Sequence, residues 1–191
     1  MIATLLSERE STAGLLLLGG AATNLKDALF YQNLAVVQEF QKKKGLIGML
    51  LRCLMTEKKA MAKLEALFQK CSATTKDRVF FGGVMMNAKW IRDHASHSTE
   101  EYIELLRQYK KPIFAISGTA DLSVDYRSLA NLTELPFVEV FTPDGINHIL
   151  REIDDNNSFM KVKKQYLRLS KKPIHEATQQ KIKEWLCQFT V

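Results

Sequence analysis

The chain has 191 residues, of which 46% are hydrophobic and 25% are charged; these proportions are typical of a globular core and exclude a low-complexity chain. This length allows one medium domain, or one small domain with an insertion. The net charge is +6. The lysine clusters lack interleaved aromatic residues and any nucleic-acid-binding motif, so we interpret them as a solvated surface and expect no nucleic-acid partner.

Three cysteines lie far apart in the sequence, at Cys53, Cys71 and Cys187. Their odd number and wide spacing argue against a disulfide framework and against a Cys-x-x-Cys metal site. The N-terminus does not have the form of a signal peptide, and the longest apolar stretch, residues 13–22, is too short to span a bilayer. We therefore expect a cytoplasmic protein with no membrane span, no bound metal and no cofactor.

The first predicted elements are the end of a helix in residues 1–9 and a strand from Ala13 to Leu18. This strand is apolar on both faces, which is typical of a parallel sheet covered by helices on both sides. Residues 24–109 then follow a mostly helical pattern. The predicted helices are Asp27–Phe40, Leu46–Leu54, Ala60–Phe68 and one that follows a capping box at Ser98–Glu101, and residues 80–86 are ambiguous.

The last third of the chain alternates between strand and helix patterns. A helix is predicted at Ser123–Leu132 with Tyr126, Leu129 and Ala130 inward, and a turn is predicted at Asp154–Asn157 within the polar residues 150–172. A closing helix is predicted at Glu176–Phe189, with an apolar stripe formed by Ile182, Trp185, Leu186 and Phe189. With strands at about 13–18, 112–117 and 137–141, the alternation indicates an α/β fold with a parallel sheet. The helical block between the first two strands is longer than a crossover needs, so we expect it to be an inserted lid.

Asp121 and His148 each come shortly after one of the last two predicted strands. In α/β sheets, functional groups collect in the loops beyond the carboxyl ends of the strands. The Asp121 carboxylate could accept a hydrogen bond from one ring nitrogen of His148, which leaves the other nitrogen free to take a proton. Alternatively, Asp121 or Ser123 caps the helix that follows, and His148 is an ordinary loop histidine.

Short segments around these two residues resemble a known family. Gly118–Asp121, after a strand that begins Lys-Pro, and Gly145–His148, after the second strand, resemble the acid and histidine segments of α/β-hydrolase fold enzymes. The resemblance is nearest to the lipase, esterase and serine-aminopeptidase-like members. Leu15–Gly20 resembles the strand that follows the nucleophile helix of that family, and Met1–Glu10 resembles the end of that helix.

The resemblance implies a division of the chain and a reaction. Residues 1–23 and 110–191 would form the C-terminal half of a hydrolase core, and residues 24–109 its helical lid. Asp121 would be the triad acid, with Asp125 as a weaker rival, and His148 the general base. The implied reaction is hydrolysis of an ester or amide of a small molecule through an acyl-enzyme, and the apolar lid suggests an apolar acyl group.

The chain departs from the family at the nucleophile. The family order is serine, acid, histidine, so the serine would precede Met1, and no Gly-x-Ser-x-Gly motif occurs in the sequence. The first five strands and both oxyanion-hole donors are also missing, so we expect this chain alone to be inactive. The first strand would then lack a neighbour, and we expect a partner chain to cover its exposed edge.

Other readings of the sequence remain open. Ser117, Cys53 or Cys71 could replace the missing serine, although a strand end and helical runs are poor settings for a nucleophile. His94 and His97 could meet on one helical turn, but two histidines without a third ligand are a weak metal signal. The whole chain could instead be a non-catalytic binding or regulatory module, or belong to a hydrolase whose nucleophile is an aspartate.

Overall fold

The computed structural model describes residues 2–7, 9 and 11–189, without the side chains of Ile2 and Ile47. Met1, Glu8 and Glu10, which the sequence interpretation assigns to the end of the first helix, lie outside the described residues. The helices and strands follow one another in the order α1 (Ile2–Leu6), β1 (Leu15–Leu18), α2 (Leu25–Gln41), α3 (Gly45–Leu54), α4 (Glu57–Ser72), β2 (Arg78–Phe81), β3 (Val84–Asn87), α5 (Ala88–Ala95), α6 (Thr99–Tyr109), β4 (Ile113–Ile116), a 3-10 helix (Tyr126–Leu132), β5 (Val138–Phe141), α7 (Val162–Leu169) and α8 (Glu176–Cys187).

The chain divides into two compact units. Unit 1 consists of Met1–Ala22 and Thr99–Val191, and unit 2 of Thr23–Ser98. Helix α6 therefore belongs to unit 1, whereas the sequence interpretation included it in one insertion of residues 24–109. The role of the insertion as a lid stays a prediction.

Unit 1 contains a three-stranded parallel sheet with the strand order β1-β4-β5. The parallel α/β arrangement expected from the sequence is confirmed for these strands. In the register, Ile113 of β4 lies opposite Leu15 of β1 on one side and Val138 of β5 on the other. Because parallel strands have their carboxyl ends at the same edge, the loops that follow β4 and β5 begin side by side.

The central strand β4 is buried along its whole length. Successive side chains of a strand point to opposite faces of the sheet. Ile113 and Ala115 pack in a cluster with residues of α6 and the 3-10 helix, whereas Phe114 and Ile116 pack in a second cluster with Trp185 of α8. The sheet of unit 1 is thus covered on both faces, as the continuous apolarity of β4 requires.

Strand β1 lies at one end of the strand order. Leu15 is buried, but the exposed fraction rises along the strand and reaches 48% at Leu18. The leucine run that is typical of an interior strand therefore forms an edge strand within the part of the chain that the structure describes. This agrees with the expectation that the strand has a neighbour on one side only.

The structure corrects three predictions in the last third of the chain. The predicted α-helix at Ser123–Leu132 is a 3-10 helix that begins only at Tyr126. Side chains three residues apart eclipse in a 3-10 helix, so Leu129 and Leu132 are buried and Ala130, expected inside, is exposed.

The sequence interpretation did not predict helix α7 (Val162–Leu169), which lies within the polar residues 150–172. In α8, Leu186 was expected on the apolar stripe but is 47% exposed.

Unit 2 consists of helices α2 to α5 and the antiparallel hairpin β2-β3. The hairpin occupies the segment that the sequence left ambiguous. Helix α2 begins after Asn24, whose side chain accepts a hydrogen bond from the backbone N–H of Asp27, and helix α4 begins after Thr56, which caps it in the same way. No helix among the described residues is long and apolar enough to cross a membrane.

Candidate active site

Two loops at the carboxyl ends of β4 and β5 are joined by hydrogen bonds. The backbone N–H of Thr119 donates to the carbonyl of Pro143 at 3.0 Å, and that of Ala120 donates to the carbonyl of Ile146 at 3.0 Å. The Thr119 hydroxyl oxygen accepts from the backbone N–H of Gly145 at 2.9 Å. The segment that carries Asp121 and the segment that carries His148 are therefore fixed to each other.

Gly118 allows this close approach. A Cβ atom added at Gly118 would lie 2.0 Å from the carbonyl oxygen of Ile146, a distance at which a side chain cannot coexist with the neighbouring backbone. Only glycine lets the two loops come this near.

Asp121 is buried, and its two carboxylate oxygens have different partners. Oδ1 accepts hydrogen bonds from the backbone N–H groups of Ser123 at 2.7 Å and Val124 at 3.0 Å. Oδ2 lies 2.9 Å from Nδ1 of His148. Asp121 thus accepts hydrogen bonds from the turn after it and also contacts His148. The cap of the 3-10 helix is Asp125, not Asp121 or Ser123.

The side chain of Asn147 fixes the loop that carries His148. The buried side chain of Asn147 accepts hydrogen bonds from the backbone N–H groups of Ile149 at 3.1 Å and Arg151 at 3.0 Å. Leu150 has a φ of 58°, a left-handed conformation that is uncommon for a residue with a branched side chain. This tight turn presents His148 with 37% of its side chain exposed.

The hydrogen bond to Asp121 selects one tautomer of the neutral His148 ring. An ionised carboxylate can only accept, so Nδ1 carries the hydrogen and Nε2 keeps a lone pair that can take a proton. The hydrogen bond that His148 donates to Asp121 raises the pKa of His148 above its ordinary value; burial opposes this effect, and the negative charge of Asp121 adds to it. In this arrangement Nε2 of the neutral ring is the nitrogen that can accept a proton.

Gly19, directly after β1, lies against the His148 ring. Its backbone N–H donates to the carbonyl of Ile116 at 2.8 Å, and its φ is 59°. A Cβ atom added at Gly19 would lie 3.0 Å from both Cε1 and Nδ1 of the His148 ring. The sequence identified Gly19 only as the end of a strand, because nothing in its local pattern shows that the imidazole lies against it.

Tyr166 of α7 is a second residue that the sequence interpretation missed. Its hydroxyl is buried beside the Ser123 side chain and the His148 backbone, without reaching hydrogen-bonding geometry to either. Burial raises the pKa of Tyr166, the negative charge of Asp121 adds to this effect, and the two neighbouring polar groups oppose it. The spacing of Val162, Tyr166 and Leu169 is the signal that could have identified this helix.

The structure places the alternative acid and the alternative serine in other roles. The carboxylate of Asp125 binds the Arg127 side chain at 2.7 and 2.9 Å and caps the 3-10 helix. The Ser117 hydroxyl is fully buried and has no hydrogen-bond partner among the described residues. Ser117 therefore offers no accessible nucleophile.

The cysteines and histidines of unit 2 form no second site. Cys71 is buried, and burial raises the pKa of its thiol despite the opposing charges of Arg92 and Lys70; Cys53 is exposed on α3. The His94 ring stacks on Trp90 with ring centroids 4.6 Å apart. In the part of the chain that the structure describes, no three His, Cys, Asp or Glu residues are grouped so that they could hold a metal ion.

Comparisons with known proteins add little to this geometry. No protein-family model matches the chain, and no curated protein matches it. Among solved structures, it is similar to Est1E from Butyrivibrio proteoclasticus at 13% identity, with a TM-score of 0.33, over 82% of this chain and 86% of that chain. A structure titled "Ferulic Acid bound to Est1E" from the same organism matches at 12% identity, with a TM-score of 0.32, over 82% of this chain and 87% of that one. Likeness at this level carries no argument about function.

Proposed function

We propose that this chain is the acid-and-histidine half of a hydrolase of the α/β-hydrolase superfamily that acts on an ester or amide bond. The observation that carries the proposal is the 2.9 Å hydrogen bond between the buried Asp121 carboxylate and a partly exposed His148. The pair lies beyond the carboxyl ends of adjacent parallel strands, where α/β folds place their functional groups. The serine nucleophile is supplied by sequence outside these 191 residues.

In this proposal, Nε2 of His148 takes the proton of a serine hydroxyl while the serine oxygen forms a bond to the acyl carbon of the substrate. The imidazolium then gives that proton to the departing alcohol or amine as the bond to the acyl carbon breaks. Water repeats both steps on the acyl-enzyme and releases the acid. Asp121 holds the ring in the productive tautomer and stabilises the imidazolium while it carries the proton.

The need for an outside nucleophile is supported by the sequence and by the burial of Ser117. No Gly-x-Ser-x-Gly motif occurs in the chain, and the Ser117 hydroxyl is fully buried. The same two observations favour a second candidate function, a non-catalytic binding or regulatory module that keeps the hydrolase-like half-fold. The two candidates differ in whether the native protein forms an acyl-enzyme.

A tag added to the C-terminus of the protein in its native source tests the proposal. The captured material should contain either a chain well above 21.8 kDa or a second chain, and it should react covalently with a fluorophosphonate. It should hydrolyse p-nitrophenyl esters, and His148→Ala and Asp121→Asn should each lower this turnover by about a thousandfold or more.

The matched control is Asp125→Asn, which changes an aspartate four residues away and should leave turnover unaltered. Native protein at 21.8 kDa without a second chain, fluorophosphonate labelling or ester turnover would overturn the hydrolase proposal and favour the binding module. Turnover that survives His148→Ala would show that the dyad is not the base.

A further inference from the structure

Unit 2 contains a cavity of 630 Å³ between α2, α4, α5 and the hairpin β2-β3. Pockets that bind small molecules are about 300–1,000 Å³ and mostly apolar, with a few polar groups that fix the orientation of the ligand. Every residue that lines this cavity belongs to unit 2. The cavity is therefore a feature of unit 2 itself, and an inference from it does not depend on the Asp121–His148 dyad.

Most of the residues that line the cavity are apolar. Val37, Leu67 and Ile91 are buried at the floor, whereas Leu54 and Val84, at the mouth, are 58% and 59% exposed. Exposed aliphatic side chains that lead into a buried aliphatic floor are unusual on a protein surface unless something binds there.

The shape of the lining suits a flexible aliphatic chain. Met55 and Met86 line the cavity together with leucine, valine and isoleucine side chains. Methionine is unbranched and polarisable, so it adjusts to ligands of irregular shape. Phe81 and Trp90 are the aromatic residues of the lining, so most of the contact surface is aliphatic.

Two lysines line the cavity, and they differ in their hydrogen bonds to the described part of the chain. Asn33 and Lys59 donate to backbone carbonyls, and Asn87 caps α5. Lys63 makes no hydrogen bond or ion pair with the described part of the chain, and its Nζ lies 3.4 Å from where a Cβ on Gly82 would stand, at the hairpin turn. No aspartate or glutamate lines the cavity. A mostly apolar cavity lined by two lysines and no acid, in which the Lys63 ammonium has no hydrogen-bond partner among the described residues, complements an anionic head group.

We propose that unit 2 binds an amphipathic carboxylate, with the aliphatic chain in the cavity and the carboxylate at Nζ of Lys63. The apolar lining supplies most of the affinity by removing the chain from water. The ion pair at the partly solvated border supplies less, and it orients the ligand.

Titration of the whole chain with dodecanoate below its critical micelle concentration tests the proposal by calorimetry. We expect saturable binding with one dodecanoate per chain. The chain has two tryptophans, so Trp185→Phe leaves Trp90 at the cavity as a fluorescent reporter, and its emission should change over the same concentration range.

Two matched pairs of variants locate the binding site. Ala60→Phe fills the cavity and should abolish binding, whereas Ala62→Phe, exposed on the same helix, should not. Val84→Trp narrows the mouth and should weaken binding at least tenfold, whereas Met85→Trp, on the other face of the hairpin and 58% exposed, should leave it unchanged. The second pair changes exposed side chains, so it remains informative if Ala60→Phe does not fold.

The head group is tested at Lys63. Lys63→Met should weaken dodecanoate binding about fivefold, the upper range for an exposed ion pair, and should not weaken the binding of dodecanol. Lys58→Met, on the same helix outside the cavity, should change neither. Absence of saturable dodecanoate binding, or full binding by both Ala60→Phe and Val84→Trp, overturns the proposal. An equal loss of dodecanol binding in Lys63→Met overturns the assignment of the carboxylate.

Discussion

The Asp121 carboxylate connects a turn of the backbone to a titrating side chain. Its Oδ1 accepts from two backbone N–H groups, and its Oδ2 binds Nδ1 of His148 at 2.9 Å. Since the backbone fixes the carboxylate, the imidazole is oriented without depending on a flexible partner. Preorganisation of this kind is what a general base needs, because the ring must not reorient during proton transfer.

Asp121→Asn should lower the pKa of His148. The asparagine oxygen can still accept from the backbone N–H groups of Ser123 and Val124, but its NH₂ group then faces Nδ1 and disfavours the imidazolium. An NMR titration of the His148 ring protons measures the effect. Asp125→Asn, which alters only the neighbouring cap, should leave the titration of His148 unchanged. An unchanged pKa in Asp121→Asn would show that the hydrogen bond does not act on the histidine.

The raised pKa of His148 makes part of the stability depend on pH. The contribution of the protonated histidine is fully present below the pKa of histidine in the unfolded chain, about 6.5, and is lost as the pH rises through the folded pKa. The difference in unfolding free energy between the natural chain and His148→Gln should therefore be largest at acid pH. Urea unfolding between about pH 5 and 8 measures it, and a difference that grows with pH would contradict the prediction.

Gly19→Ala should disturb His148, because the new methyl group would lie 3.0 Å from the ring. Gly145→Ala is the matched control: Gly145 also has a positive φ, 66°, but has no atom within 4 Å of the added methyl group. Both variants should lose about 1–2 kcal/mol of stability from the left-handed backbone. Only Gly19→Ala should also shift the NMR signals and the pKa of His148. Equal shifts in the two variants would refute a specific role of Gly19.

At the scale of elements, α8 covers one face of the sheet through a short aromatic stack. Trp185 is buried, with its ring centroid 6.2 Å from Phe114 of β4 and 4.8 Å from Phe189. The periodicity of the sequence predicted the helix correctly but assigned Leu186 to the same stripe. Trp185 and Leu186 are adjacent, so they point about 100° apart on the helix, and only one of them faces the strand.

Trp185→Ala should lower the free energy of unfolding by about 3–5 kcal/mol, since it removes a large buried ring and leaves a cavity. Leu186→Ala, at the neighbouring exposed position, should cost less than about 1 kcal/mol. Urea unfolding followed by far-UV circular dichroism measures both. Similar losses in the two variants would mean that the helix packs in a different rotation.

Helix α7 shows where local patterns were insufficient. Its sequence is rich in lysine and arginine, so its few apolar positions did not give a recognisable helical pattern. Arg168 binds Asp154 at 2.6 Å, and Lys172 binds the same carboxylate at 2.7 Å. These ion pairs hold the pKa of Asp154 below its usual range. These ion pairs thus connect the segment of the predicted turn, Asp154–Asn157, to α7 and to the residues just after it. The sequence alone did not reveal them, because they join residues more than ten positions apart.

At the scale of the whole molecule, the edge of the sheet at β1 is the feature with the broadest consequence. The strand has backbone groups on its outer side that no strand of the described residues pairs with, and Leu18 at its end is 48% exposed. Unpaired edges with apolar side chains promote association with other chains. Under the proposed function, we expect the segment that supplies the nucleophile to pair with this edge.

Leu18→Lys should reduce concentration-dependent self-association of the purified chain, because a charge on an edge strand opposes strand pairing. Leu167→Lys is the matched control, since Leu167 is 63% exposed on α7 and lies on no strand edge. Sedimentation velocity over a range of concentrations measures the effect. Equal reductions in both variants would attribute the association to general surface hydrophobicity and not to the edge.

The sequence by itself determined the features that depend on near neighbours. Apolar runs identified the three parallel strands, side-chain caps and periodicity identified most helices, and the order of Asp121 and His148 after successive strands identified the candidate dyad. The strand, capping and periodicity signals each lie within about ten residues of chain, the range over which periodicity and capping operate.

Only the tertiary structure decided which distant residues meet. The adjacency of β4 and β5 brings Asp121 to His148, 27 positions apart, and the adjacency of β1 and β4 brings Gly19 against the same imidazole. The position of Tyr166 and the cavity at Lys63 likewise arise from contacts between separate elements. Local patterns do not encode such contacts, because strand order and helix packing are set by burial of the whole chain and not by any single segment.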